Sequence, residues 1–511
     1  MPTSWVKNAD WAVVWEHAAP EQGPNLYGGR HAYLRDADLV FEDDRIAFVG
    51  TGYAGAADSV IDGRGKMLLP GFVNIHSHPN SEPLLKGLSE ERKSRQLNMS
   101  SLYEYIFLLG RPAHDPTADK TASSDAARFG TADFAAYSAA CQVAIAEMLR
   151  SGVTCFVDYS ANRPNWLDEV ARTGIRTVVA PSFRSGEWYT PNGHEVLYRW
   201  NEPRGRQGLD TAVALVMQAQ KHPSGLLSGM MAPAQVDTCT ADLMVDAAAV
   251  ARDLGVPCQT HAAQSVVEAR EMFRRHGKTP IGWLHSLGVL GPHFILGHAI
   301  FLDHHSWIMG PDQVDLDLIA DSGTSVAHCP NQFARGGMVL QHFGKYVKRG
   351  VNMGLGTDTF PHNFIDEMRW ALVVAKIASA DIGSTSLAEV FAAATVGGAK
   401  ALGRDDIGRL AQGCKADFSL VDLAHPAMQP ARDPLKSLVF TALERPITDV
   451  YVAGKPVVRD GKVTTIDLEA NLAELTAGQA RNMRGIPERD WAKRAPDEAF
   501  PMSLGWAGSN R

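Results

Sequence analysis

The stretch AVARDLG at residues 249–255 runs straight into VPCQTHAAQ at residues 256–264. The first segment has helix formers and ends in Gly, the usual helix terminator; the second is short, apolar and β-rich, and it carries His261. The same join recurs on both sides. AEMLRSG (146–152) precedes VTCFVDYS (153–160), and DEVARTG (168–174) precedes IRTVVAPSF (175–183). LIADSG (318–323) precedes TSVAHCPN (324–331), and YVKRG (346–350) precedes VNMGLGTDT (351–359). Two further strands fit the series: LLSGMMAPAQVD (226–237) and, after the turn Gly291-Pro292, HFILGHAIF (293–301). The run KMLLPGFVNIHSH (66–78) at the front brings the count to eight. Val/Ile-rich runs suit strands buried on both faces, alternation with helices implies parallel pairing, and eight units can close a barrel. A (β/α)8 TIM barrel over residues 69–405 is therefore expected. An open doubly wound sheet is the runner-up, and no GxGxxG follows a first strand to support it.

The two ends read differently. DADLVFEDDRIAFVG (36–50) and SVIDGRG (59–65) are short alternating segments with turns, as are GRLAQGCKADFSLVDL (408–423) and TDVYVAGKPVVRDGKVTTID (448–467). One small β-sandwich domain drawing on residues 1–68 and 406–511 explains both ends economically.

Composition excludes more than it assigns. A net charge of −8 with no Lys/Arg-rich run argues against nucleic acid and anionic membranes as partners. No apolar stretch is long enough to cross a bilayer, and the opening MPTSWVKNADWAVVWEH lacks the basic start and apolar core of a secretory signal. Cys141, Cys155, Cys239, Cys258, Cys329 and Cys414 form no CxxC pair. They read as reduced thiols of a cytoplasmic protein, Cys329 among them as a buried structural thiol rather than a nucleophile.

The chemistry starts at His76-Ser77-His78. Alternate strand residues face the same side, so both imidazoles can converge on one divalent ion of the zinc or iron type. Taken alone, the pair reads more readily as two satisfied structural histidines. Its distant partners reverse that: His261, His298 and Asp358 each stand where a strand gives way to a loop. In a barrel those ends share the C-terminal face, where active sites are built. Imidazoles and a carboxylate make a shell with room for water, and a divalent cation lowers the pKa of a water bound to it toward neutrality.

PGFVNIHSH, QTHAAQ, GHAIFLD, VAHCPN and GLGTD resemble, in order and spacing, the motifs of the amidohydrolase superfamily. The nearest likeness is to its triazine hydrolase, cytosine deaminase and S-adenosylhomocysteine deaminase branch, which EMLRSGVTCFVD (147–158) and the closing GRLAQGCKADFSLVDL also resemble. The resemblance spans roughly residues 30 to 465. It implies a barrel with a β-sandwich from both termini, one metal ion held by His76, His78, His261 and Asp358, and His298 beside the water. By the same match His298 and Asp358 are the catalytic proton carriers, with His298 as a weak extra ligand the alternative. Zinc is the expected ion and ferrous iron the alternative. A two-metal site would need a Lys at the end of the fourth strand, and LLSGMMAPAQVD has none.

Two departures bear on the substrate. The branch's deaminases carry Glu where this chain has Gln264, and a neutral amide cannot act as a general acid. This favours hydrolysis of a C–N bond, other than a peptide bond, in a small amide, urea or N-heterocycle with a carbonyl-like centre. Deamination or dechlorination of an activated triazine- or nucleobase-like ring is the alternative, and a non-catalytic ligand-binding barrel the reading from another class. Downstream of Asp358 the chain reads Thr359-Phe360-Pro361-His362-Asn363. His362 is a candidate substrate contact or proton donor, with a surface-loop histidine as its bland counterpart. Gln264, His328 and Trp188 complete the candidate substrate contacts. For each, packing is the competing role, and Trp188 with Tyr189 offers a flat face for a ring. A homodimer is expected, and the tail residues Trp491, Phe500 and Trp506 are free to pack at its interface or back onto the barrel.

Overall fold

The computed structural model describes residues 2–17, 27–90, 102–105, 133–310 and 312–507. Two parallel sheets follow each other along the chain. The first contains Phe72–Asn74, Val153–Ser160, Arg176–Phe183 and the broken pair Leu227–Gly229 and Ala232–Pro233. The second contains Cys258–Ala262, Phe294–His298, Ser325–His328 and Asn352–Leu355. Isolated parallel bridges join them along both edges: Met231 to Cys258 and Gln235 to His261 on one side, Ser77 to Asp358 on the other. Helices separate successive strands, among them Phe134–Arg150, Glu202–Gln220, Ala241–Leu254 and Phe343–Arg349. This is a TIM-barrel-type α/β fold. Every residue of Val153–Ser160 is buried, as expected of a strand covered on both faces. Helix limits follow local chemistry: Thr240 caps Ala241–Leu254 by accepting from Leu243 N–H, and Gly255 at φ 65° ends it.

The run KMLLPGFVNIHSH divides between two sheets. Lys66–Pro70 pairs antiparallel with Phe418–Asp422, and only Phe72–Asn74 enters the barrel. Uniform burial through Met67–Val73 leaves no periodic sign of the change. The two chain ends meet in a single nine-stranded sheet of mixed pairing. Its longest member, Thr3–His17, was not foreseen as a strand. The pairing slips between Val6 and Ala9, where Asn8 takes φ 56°, and this bulge breaks the alternation by which a strand is read.

A buried ion pair ties that sheet to the barrel. Arg176, at the start of the third barrel strand, makes contacts of 2.6 and 3.0 Å to the two oxygens of Asp417, and Ala453 N–H donates to the same carboxylate at 2.7 Å. Asp417→Ala leaves the guanidinium buried and unpaired, so unfolding in urea should show a loss of about 3–5 kcal/mol. A loss under about 1 kcal/mol would mean that the pair does not hold the two parts together.

The tail packs back onto the barrel. Helix Leu468–Arg484 lies on Phe134–Arg150, and Gln479 Nε2 donates to the carbonyls of Leu84 and Lys86. Phe500 and Ile486 are buried against Leu85 and Phe360, Trp491 is half-buried and Trp506 is exposed. Among the described residues no helix is long and apolar enough to cross a membrane. All six cysteines are buried and unpaired.

Candidate metal centre

Four strand ends deliver side chains to one point. Ligand atoms of His76, His261, His298 and Asp358 all lie within 4.8 Å of one another. His78 joins them, its Nε2 3.1 Å from His261 Nε2 and 3.3 Å from Asp358 Oδ1. His76 Nε2 is 3.5 Å from Asp358 Oδ1, and His298 Nε2 is 3.9 Å from Asp358 Oδ2. All but His78 are less than a tenth exposed.

The backbone is arranged for this. His78 N–H donates to Asp358 C=O and Asp358 N–H to His76 C=O, locking the first strand's end to the eighth's. A Cβ on Gly356 would lie 2.7 Å from His76 Cβ and 2.9 Å from Cys329 Sγ, so GLGTD needs its second glycine to let His76 in. Three residues at these strand ends adopt left-handed backbone without being glycine: Ala263, Ala299 and Asp358, at φ 54°, 51° and 57°. Such strain persists only where the surroundings impose it, and it gathers at functional sites.

The hydrogen bonds behind the rings fix their protonation. His76 Nδ1 lies 2.7 Å from Gln259 Oε1, His78 Nδ1 2.7 Å from Tyr159 C=O, and His261 Nδ1 2.6 Å from Ala234 C=O. Each of these partners is an oxygen acceptor, so each Nδ1 carries the proton and each Nε2 presents a lone pair. The His78 and His261 lone pairs then face each other at 3.1 Å, and His76 Nε2 is buried without a hydrogen-bond partner. A cation among them resolves both conflicts, so the donor set fits a divalent ion of the zinc type. Burial lowers His78 to about 4 and His298 to about 3, and pushes His261 well below the ordinary value, so the imidazoles stay neutral and able to ligate. Burial alone would raise the Asp358 carboxyl, and neutral imidazoles do not offset that; positive charge beside it, on His298 foremost or on a cation held by the cluster, is what holds it low and ionised.

The remaining sequence candidates fall into two groups. His328 ends the seventh strand fully buried, its ring 5.5 Å from Phe343 and its Nδ1 unpartnered. Gln264 is buried with Nε2 unpartnered, three residues past His261. His362 is no surface-loop residue: it is fully buried, its Nδ1 2.9 Å from Thr357 Oγ1, and its backbone N–H donates to Glu147. Burial lowers its imidazole to about 3. Trp188 is buried rather than presented as an open face, and its Nε1 donates to Asp237 Oδ2 at 2.9 Å. Three residues escaped the sequence reading. Gln259 was legible in principle, since it precedes His261 by two on one strand and so shares its face. Glu268, fully buried, accepts from the N–H groups of Ala263 and Gln264 at 2.5 and 3.4 Å and so holds the strained turn after His261. Asp237 gave no local signal.

The Amidohydrolase family model matches residues 67–457. Among curated relatives, a 5'-deoxyadenosine deaminase of Methanosarcina mazei is 26% identical over 86% of this chain and 92% of its own. A 5-methylthioadenosine/S-adenosylhomocysteine deaminase of Nitratidesulfovibrio vulgaris is 28% identical over 89% and 94%. Among solved structures, a triazine hydrolase from Arthrobacter aurescens superposes with a TM-score of 0.75 at 22% identity, over 94% of this chain and all of its own. A zinc-bound adenosine deaminase from Xanthomonas campestris gives 0.73 at 23% identity, over 94% and 98%.

Proposed function

This chain belongs to the amidohydrolase family, and on that premise we propose that it hydrolyses a C–N bond in a small amide, urea or N-heterocycle at one divalent metal ion held by His76, His78, His261 and Asp358. The chain is a hydrolase of carbon–nitrogen bonds other than peptide bonds. The observation that carries the reading is the convergence of imidazoles whose Nδ1 protons are pinned from behind. Zinc suits the donor set, and ferrous iron fits the same residues. When bound, the ion activates water and polarises an electrophilic carbon. The chain's own residues do the rest. Asp358, ionised, takes a proton from the attacking water, and neutral His298, 3.9 Å from it, accepts that proton and relays it to the leaving nitrogen, which returns both groups to their starting states. His328, His362, Gln264 and Trp188 are assigned to the substrate's surroundings. Deamination of an activated nucleobase- or triazine-like ring is the second reading, favoured by the deaminase relatives.

Gln264 separates the two. A carbonyl-like centre places its developing charge on oxygen and needs no acid at position 264, whereas an unactivated ring needs a proton that an amide cannot give. Gln264→Ala should then lower kcat/KM by only about the factor of five to ten that one neutral hydrogen bond of roughly 1 kcal/mol carries. A fall as deep as that of His298→Ala would give Gln264 a direct catalytic role. The activity itself is tested by incubating zinc-loaded protein with small ureas, amides and aminated heterocycles, 5'-deoxyadenosine included. Bound metal with no hydrolysis across that panel would favour a ligand-binding barrel instead.

The finer architecture belongs to the same proposal. The two parallel sheets make one closed eight-unit barrel spanning 69–405, and the nine-stranded sheet drawn from residues 1–68 and 406–511 folds over on itself as a small β-sandwich. The protein is placed in the cytoplasm as a homodimer, and light scattering tests the dimer directly.

A further inference from the structure

One buried carboxylate near the metal centre has an unfilled side. Asp237 is fully buried. Its Oδ2 accepts from Trp188 Nε1 at 2.9 Å and from Tyr198 Oη at 2.7 Å, and its Oδ1 has no partner. The Arg275 guanidinium bonds the Asp237 main-chain carbonyl and the Glu271 carboxylate instead. Among the described residues no Lys, Arg or His forms an ion pair with Asp237. Arg275 acts on the carboxylate only through space, from over the Tyr198 ring, so Oδ1 still lacks the direct charge-assisted hydrogen bond that a buried carboxylate oxygen calls for.

Its position is beside the centre. Gln235 bridges to His261, Val236 N–H donates to His261 C=O at 2.9 Å, and Asp237 is the next residue out toward the C-terminal face. The Tyr103 ring packs edge-on against Trp188 at 4.9 Å, and its hydroxyl lies 2.7 Å from Ser265 Oγ, the residue after Gln264. Gln264 Nε2 is buried and unpartnered as well. Trp188 and Tyr103 thus connect Asp237, whose Oδ1 lacks a donor, to the turn that carries Gln264 and Ser265.

We propose that Asp237 is a specificity-determining residue that binds a cationic, N–H-rich group of the substrate, an amidinium, guanidinium or ammonium. Such a group places charge-assisted hydrogen bonds on Oδ1, and aromatic rings accommodate it without competing for its protons. Burial pushes the Asp237 carboxyl up, and the hydrogen bonds from Tyr198 and Trp188 and the charge of nearby Arg275 offset this only in part. Calling the ligand a substrate rests on the hydrolytic reading above; the binding site does not.

Benzamidine and benzamide test this, because they are planar, nearly equal in size and differ in charge. Titration calorimetry with zinc-loaded, full-length protein should show benzamidine binding at least about ten-fold more tightly, as charge-assisted bonding to a buried carboxylate requires. In Asp237→Asn the ratio should approach one with zinc content unchanged. Equal binding to the wild-type protein, or an undiminished ratio in Asp237→Asn, overturns the proposal. Should the variant not fold, the wild-type ratio alone decides. A preference for benzamidine in a protein that hydrolyses nothing keeps Asp237 and removes the hydrolytic reading. An active enzyme without the preference removes Asp237 alone.

Discussion

Replacing His261 by alanine is expected to strip the metal and abolish turnover. The imidazole stands 3.1 Å from His78 Nε2 and within 4.8 Å of ligand atoms on His76, His298 and Asp358, so it occupies the middle of the donor set. Its Nδ1 bond to the Ala234 carbonyl holds the ring in place. Losing a partner behind a ligand typically weakens metal binding roughly 10–100-fold, and losing the ligand itself should exceed that. Elemental analysis after dialysis, with turnover on the best substrate, measures both. Full metal retention with ordinary activity would sink the ligand assignment.

Asp358→Asn carries the second large effect. The amide keeps the size but removes the charge and the proton acceptor, so kcat/KM should fall at least about 100-fold, the scale of a lost general base. His298→Ala should fall comparably, because its ring borders the same carboxylate at 3.9 Å. Metal content has to be measured alongside, since Asp358 is also assigned as a ligand. A variant that keeps its metal and loses less than about ten-fold would reduce Asp358 to a structural ligand.

The parts of this molecule that were legible in the sequence share one property: each was encoded locally and repeated. Gly-terminated helices before apolar runs revealed five of the eight strands and the apolar runs alone the other three, and His76, His78, His261, His298 and Asp358 could be picked out because each sits at a strand's end. What stayed hidden depended on pairing at long range. Lys66–Pro70 and Phe72–Asn74 form one apolar run in the chain but lie in different sheets, and only Phe418–Asp422 across the molecule separates them. Thr3–His17 was masked by its bulge at Asn8. His362 read as a loop residue because nothing in TFPHN announces burial, whereas the Glu147 and Thr357 contacts that bury it come from elsewhere in the fold. Asp237 and Glu268 were hidden for a related reason, since a buried carboxylate is recognised only from what surrounds it.

The central claim is that one divalent ion at the His76–His78–His261–Asp358 cluster is required for C–N hydrolysis. Metal-free protein should be titrated with zinc while turnover of the best substrate is followed. Activity should rise from near zero and level off at one zinc per chain. Full turnover in the metal-free protein, or a plateau reached only at two, would contradict the account.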